Sequence, residues 1–253
     1  ALDANTTTSD SVAIGYAALS TATIGSNTAV GSESMQFTTT GANNVGIGLQ
    51  ALRANTTGGN NVAMGSGAGD AITTGFNNTA IGTDSLSVMT TQSGNTATGY
   101  RAGFNAATSG LTYLGYQAGY NTSTGYDNVA VGYNALFTNT TGNENTAIGY
   151  QALINNTTAT DNTAVGNGAL HAVTTGSSNT GIGRNSGSGI TTGAANTLLG
   201  RDTATNLTDG NYNVMIGQSV HVSGTGNDNA IGIGHNFSVD SNNFSFGKAS
   251  NVV

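Results

Sequence analysis

One short pattern of polar and apolar positions recurs along the chain: Asn, then Thr or Val, a small residue, an aliphatic residue and Gly. Clear copies end at Gly65 (NNVAMG), Gly82 (NNTAIG), Gly132 (DNVAVG), Gly149 (ENTAIG) and Gly166 (DNTAVG). Marked by that glycine, the units fall at Gly15, Gly31, Gly48, Gly65, Gly82, Gly99, Gly115, Gly132, Gly149, Gly166, Gly183, Gly200, Gly217 and Gly234. Eleven of the gaps are 17 residues and two are 16; a last copy, NFSFG, ends at Gly247 after a gap of 13. After each marker come two variable residues, a small one and often Leu, as in Ala51-Leu52, Ala135-Leu136, Ala152-Leu153 and Ala169-Leu170. Polar residues and a Thr-Thr-Gly triplet follow, at 56–58, 73–75, 140–142, 174–176 and 191–193.

The bulky, small, bulky alternation is a strand signal of period two. It sets both β-branched residues on one face and the small residue on the other. A helix is excluded by the density of Gly and Asn, since each interior Gly costs about 1 kcal/mol relative to Ala. The marker Gly and the Thr-Thr-Gly triplet are turn signals. Each unit is therefore predicted to be a short strand, a corner, a second short strand and a turn.

Seventeen residues bury no core alone, but stacked units do. Stacking pairs each strand with those above and below at ~4.8 Å, so about fourteen rungs make a column roughly 65 Å long. The predicted fold is all-β, a parallel β-roll or β-solenoid: a lead-in over 1–10, rungs over 11–234, and a C-terminal cap or start of a neck over 235–253. Equivalent residues then form ladders, with amide stacked on amide at Asn44, Asn61, Asn78, Asn95, Asn128, Asn145, Asn162, Asn179, Asn196 and Asn213. Gly48, Gly65, Gly82, Gly132, Gly149, Gly166 and Gly183 form a second structural column. Three units depart from the pattern: Leu111 and Tyr113 replace Asn and Ala before Gly115, Thr98 replaces the aliphatic before Gly99, and Asn229 is displaced before Gly234. Irregular rungs, a change of face or a loop are expected there. Few apolar side chains fall in each unit and several are Ala, so a single column has a thin core. Copies packed side by side through the β-branched face complete it, and an oligomer, most simply a trimer, is expected.

Composition narrows the function. Charged residues are 7% of the 253, Gly numbers 39, and Pro, Cys and Trp are absent. Gly, Thr and Asn supply almost half of the chain. Without Cys there is no disulfide scaffold or thiolate metal site. No apolar stretch approaches the ~18 residues of a spanning helix, so direct membrane insertion is not expected. A net charge of −7 with five basic residues argues against a nucleic-acid partner. The chain begins at Ala1, which reads as a mature product or a piece of something longer.

The stretch TTGNENTAIGYQAL from Thr140 to Leu153 resembles the head repeats of trimeric autotransporter adhesins, and equally the repeat regions of bacteriophage tail fibres and related bacterial fibre proteins. The likeness runs from about Ser11 to Gly247, and NNFSFGKASN, Asn242 to Asn251, is similar to where such heads pass into a neck. The resemblance implies a left-handed parallel β-roll of three wound chains that adheres to a host surface or matrix, or attaches a virus. It places the protein outside the cell, on a cell surface or on a virion. The best-known adhesin heads use somewhat shorter repeats. Within these 253 residues no coiled-coil stalk or membrane anchor chooses between adhesin and phage fibre.

Candidate chemistry is sparse, and neither catalysis nor a cofactor is expected. His171, His221 and His235 fall at different unit positions, and no Gly-x-Ser-x-Gly elbow is present. The string Gly181 to Gly187 imitates a phosphate cradle but lacks the strand-to-helix context. Gly224 to Asp228 imitates one calcium nonapeptide, unrepeated. Asp127, Asp161 and Asp228 become oxygen ligands for calcium only if carboxylates align between chains; otherwise they replace Asn in turns. Tyr16, Tyr100, Tyr116, Tyr133 and Tyr150 follow marker glycines. Their rings either contact a surface such as a glycan or pack as an aromatic ladder, the favoured reading. A different function class is an ice-binding solenoid built on the Thr columns. Against it, adjacent strand residues face opposite ways, and Ala107 and Asp209 interrupt the second Thr column.

Overall fold

The computed structural model describes residues 10–23 and 25–248. The chain forms two compact units, 1–127 and 128–253. The first holds seven strands: β1 (Val12–Ile14), β2 (Thr28–Val30), β3 (Val45–Ile47), β4 (Val62–Met64), β5 (Thr79–Ile81), β6 (Thr96–Thr98) and β7 (Thr112–Leu114). Each pairs in parallel with the next, as where Val62, Ala63 and Met64 lie opposite Thr79, Ala80 and Ile81. The second unit repeats the arrangement with β8 (Val129–Val131), β9 (Thr146–Ile148), β10 (Thr163–Val165), β11 (Thr180–Ile182), β12 (Thr197–Leu199) and β13 (Val214–Ile216). It then carries β14 (Val220–Val222), β15 (Ile231–His235), β16 (Phe237–Val239) and β17 (Phe244–Lys248). The parallel ladder continues from β13 through β15 to β17, while β14 and β16 pair separately. Each unit is a parallel β-solenoid, the fold the periodicity predicts. Among the described residues there is no helix, hence none long and apolar enough to cross a membrane.

The interior follows from the strand alternation. The middle residue of the three-residue strands β2 to β13 points in: Ala63, Ala80 and Ala97 in the first unit, and Ala147 and Ala164 in the second, are buried; in β14 and β16 the flanking residues are buried instead. Facing them are Leu19, Leu52 and Leu86, or Leu136, Leu153 and Leu170, all fully buried. The asparagine before each strand is buried as well. Asn61 shows how it is satisfied. Its Nδ2 donates to Asn44 Oδ1 (3.1 Å) and to the Gly75 carbonyl (2.8 Å). Its Oδ1 accepts the Asn78 backbone N–H (2.9 Å) and the Asn78 amide (3.1 Å). Asn145, Asn162, Asn179 and Asn196 repeat this in the second unit. The ladders stop where an apolar residue takes the position: Leu111 N–H closes on Asn95 Oδ1, and Ala230 N–H on Asn213 Oδ1.

The marker glycines are forced twice. Their φ values, such as +136° at Gly48 and +133° at Gly132, suit few side chains. An added Cβ on Gly48 also meets the Gly65 carbonyl oxygen at 2.5 Å, and one on Gly132 meets that of Gly149 at 2.5 Å. Coils touch backbone to backbone here.

The second strand of each unit is not formed in most coils. Residues two and four past the marker have positive φ, as at Gln151 (54°) and Leu153 (50°), and this alternation coils the chain instead of extending it. A left-handed Leu costs about 1–2 kcal/mol. Burying its side chain returns about 1.5–3 kcal/mol, and the conformation persists. After β13, Ser219 keeps the positive φ two past the marker (53°), but His221, four past it, does not, and the chain extends there as β14.

The unit before Gly115 is not irregular. β7 pairs in register with β6, Ala97 opposite Tyr113, although Tyr113 stands where other strands carry Ala. Space comes from Gly103 and Gly119, which occupy the Leu position: a Cβ on Gly103 meets Tyr113 Cδ2 at 3.1 Å, and one on Gly119 runs into the same ring. Tyr113 is fully buried, its hydroxyl 2.8 Å from Thr122 Oγ1. Burial pushes its phenol well above the ordinary range, the Thr122 bond offsetting part of this. Leu198 over Gly187 repeats the exchange in the second unit. β6 is also regular, Thr98 taking the outward aliphatic place. At the displaced Asn229, Ala230 takes the ladder position and β15 lengthens to five residues.

Two measurements test these accounts. Gly82→Ala should lower stability by about 2 kcal/mol or more, because its Cβ runs into the Gly99 carbonyl. Gly94→Ala, with φ +72° and nothing within 4 Å of its Cβ, should lose only about 1 kcal/mol in denaturant unfolding. Tyr113→Ala should cost about 3–5 kcal/mol. Adding Gly119→Leu should recover much of it, so that the double variant outlasts either single one.

Candidate functional site

In each unit the outer face of the strands is a chemically distinct surface. In the first unit Val12, Ile14, Met64 and Leu114 are exposed, and in the second Ile148, Ile182 and Leu199 are. They form columns because the register stacks equivalents: Val131 on Ile148, Ile148 on Val165, Val165 on Ile182. Beside them runs a column of Thr and Val, including Thr146, Thr163, Thr180 and Thr197. At the far end of the second unit, Phe244 and Phe246 continue both columns, their rings edge to face at 4.6 Å.

The tyrosines after the markers stand at the rim of this face. Tyr16 is 77% exposed, while Tyr100, Tyr116, Tyr133 and Tyr150 are between 37% and 48% exposed. Tyr100 and Tyr116 stack at 5.2 Å in the first unit, and Tyr133 and Tyr150 at 5.3 Å in the second. A second stack, Phe104 on Tyr120 at 5.3 Å, lies four residues further along the first unit's coils. Arg101 sits against both, 5.1 Å from the Tyr100 ring and 5.3 Å from Phe104, with Nε held by Asp84 at 3.1 Å. The sequence reading missed Phe104, Tyr120 and Arg101. The 16-residue step from Phe104 to Tyr120 was the available signal.

The remaining candidates are scattered. His171 is partly exposed, His235 ends β15, and His221 lies mid-strand in β14. The glycines of the 181–187 string serve packing: a Cβ on Gly181 meets Leu170 Cγ at 2.8 Å, and one on Gly187 meets Leu198 Cδ1 at 2.5 Å. Asp127 and Asp161 sit at positive φ in turns. Asp228 Oδ1 accepts the Asn211 backbone N–H at 2.6 Å. Among the described residues no three His, Asp or Glu groups gather as a metal site. Ala107 lies in the first Thr column, not the second, since its N–H donates to the Ser123 carbonyl as Thr39 does to Thr56. That first column is not free: Thr39, Thr56, Thr140, Thr157 and Thr174 each donate Oγ1 to a carbonyl of the next coil.

One charged cluster is built. Asp202 accepts Asn185 Nδ2 at 2.9 Å and pairs with Arg184 at 3.2 Å and Arg201 at 3.0 Å. The Asn185 bond, then the two arginines, lower its carboxyl below the usual range. His221 is lowered too, by burial that the nearby Asp202 charge only partly offsets, and its Nδ1 is buried without a partner.

The chain matches no protein-family model, no curated protein and no solved structure.

The lowered His221 sets a pH dependence. The unfolded chain takes up this proton first, near the ordinary His value of ~6.5, so the fold loses stability as pH falls through that value and the loss levels off below the folded value. His221→Gln should flatten the unfolding midpoint between about pH 7 and 5; a slope unchanged by the substitution overturns the account.

Proposed function

We propose that the chain is a non-enzymatic fibre or adhesin head segment that attaches to a cell surface, glycan or matrix, with three copies joined through the outer strand columns. The observation that carries this reading is the outward apolar face. Ile14 is 60% exposed and Leu114 49%, and the pattern repeats at Ile148, Ile182 and Leu199. Monomeric proteins rarely expose contiguous apolar patches beyond a few hundred Å². The interior of each coil is largely Ala, Leu and Asn, so covering the outer Val and Ile columns adds the burial that a thin core lacks. The sequence resemblance supports three as the number of copies and a location outside the cell, on a bacterium or as a phage fibre.

A second reading uses the same face. Thr146, Thr163, Thr180 and Thr197 stand in one outward column beside aliphatic residues, a regular array that favours ordered water and an ice-binding solenoid. The two readings exclude each other, because a face covered by other copies meets no ice.

Mass in solution separates them. The attachment reading expects about three times 25.0 kDa, dissociating when Ile148→Lys and Ile182→Lys are introduced together, with no thermal hysteresis. A monomer with clear hysteresis at micromolar concentration, lost in the same variant, sinks the fibre reading and upholds the other.

A further inference from the structure

Of the four Asn-Thr-Thr triplets in the chain, three lie among the described residues, beginning at Asn55, Asn139 and Asn156. Each has the form of an acceptor for N-linked glycan. In the fold the three asparagines are fully buried, while the last residues of the triplets, Thr57, Thr141 and Thr158, are exposed. The amides hold the corner of the coil from inside. Asn139 Nδ2 donates to the Gly142 carbonyl at 2.9 Å, and its Oδ1 accepts the Gly142 N–H at 3.1 Å. Asn156 Nδ2 donates twice, to Asn139 Oδ1 at 3.1 Å and to the Ala159 carbonyl at 3.2 Å. Asn55 Nδ2 donates to the Gly58 carbonyl at 3.2 Å.

We infer that glycan transfer and coil closure are mutually exclusive at Asn55, Asn139 and Asn156, so that the chain reaches this fold only where it closes before, or apart from, any N-glycosylating machinery. In the transfer, the amide nitrogen bonds to the anomeric carbon of a lipid-pyrophosphate-linked oligosaccharide. The bond from that carbon to the pyrophosphate oxygen breaks, the lipid pyrophosphate leaves and the amide gives up one proton. The modified nitrogen keeps one N–H, and Asn156 uses two. Sugar rings do not fit beside a nitrogen in a close-packed interior, so the glycosylated residue must swing outward, empty the buried space it filled and leave each corner carbonyl with only its ladder amide, from Asn44, Asn128 or Asn145; at Asn139 the Gly142 N–H also loses its acceptor. Other acceptor triplets carry no such conflict: Asn77, which opens Asn77-Asn78-Thr79, is exposed in a turn. The inference holds whatever the protein attaches to.

The test sends the full chain, behind a cleavable secretion leader, through a eukaryotic cell that N-glycosylates. Occupancy is read by mass spectrometry for each asparagine, and folding by protease resistance. The chain is expected to carry glycan at Asn55, Asn139 and Asn156, and the molecules modified there should be protease-sensitive. A triple variant, Thr57→Ala, Thr141→Ala and Thr158→Ala, removes the three acceptor sites at exposed positions. It should be secreted folded, with glycan confined to exposed acceptors such as Asn77. Its unfolding midpoint, measured on protein from bacterial cytoplasm, should equal that of the unaltered chain. Blocking synthesis of the lipid-linked donor should rescue the unaltered chain without any substitution. Protease-resistant molecules bearing glycan on the three buried asparagines overturn the inference. An unaltered chain that emerges folded with those sites empty upholds it, closure having come first, whereas one that stays misfolded when the donor is blocked overturns it.

Discussion

Each coil is held in place by the coil on either side, and the constraint that enforces the match is the buried asparagine column. A buried amide offers two donors and an acceptor, and all must be paired. In both units the pairing is closed by the equivalent residue one coil away and by a corner carbonyl 14 residues on, as for Asn61 with Asn44 and Gly75. Each bond contributes only about 1 kcal/mol net, but a buried amide left unpaired costs about 1–3 kcal/mol. The column therefore acts mainly against wrong registers. A slip of one residue turns the amides outward and the Thr and Val of the strands inward. Asp cannot substitute: as an acceptor only, it gives the next coil's carbonyl nothing. Two such charges at the ~4.8 Å ladder spacing also repel by about 3 kcal/mol even at an effective dielectric of ~20.

With register fixed, the interior reduces to sharing a narrow volume among a few columns. A strand residue and the residue four past the marker exchange bulk: Ala with Leu in several coils, Gly46 with Met35, Gly181 with Leu170, Tyr113 with Gly119, Leu198 with Gly187. Each combination fills the space without overlap, as a close-packed core requires. The columns have no room for larger pairs, and so the bulky residues flanking the middle position of β1 to β13 face out. The exposed Val and Ile columns are thus a consequence of the narrow interior. The surface that supports the attachment reading follows from the same constraint that makes the fold.

The period, the parallel stacking and the inward Ala could be read in the sequence because each is a property of one residue type at one spacing. Other features depend on pairs. The left-handed Leu at 52, 86, 136, 153 and 170 has no local signature, since Leu is among the residues that avoid that conformation. The second strand was expected for that reason and is absent in most coils. Tyr113 read as a defect because its compensation lies at Gly103 and Gly119, in the preceding coil and six residues on. Arg101, Phe104 and Tyr120 went unnoticed because their grouping needs the corner geometry, which places the first and fifth residues after the marker close enough to share one guanidinium.

Stacking also decides what the tyrosine rim offers. Sugar rings pack on the flat face of an aromatic ring. In Tyr100 with Tyr116, and in Tyr133 with Tyr150, rings inclined by 21° and 11° give one face to each other. Arg101 lies over a face of Tyr100 as well. The facing sides of each pair are closed to a ligand, which meets ring edges and hydroxyls there. Tyr16, 77% exposed, is the more accessible ring of the set. The aromatic columns stabilise neighbouring coils first and present a surface second, which is the order in which the ladder geometry arranges them.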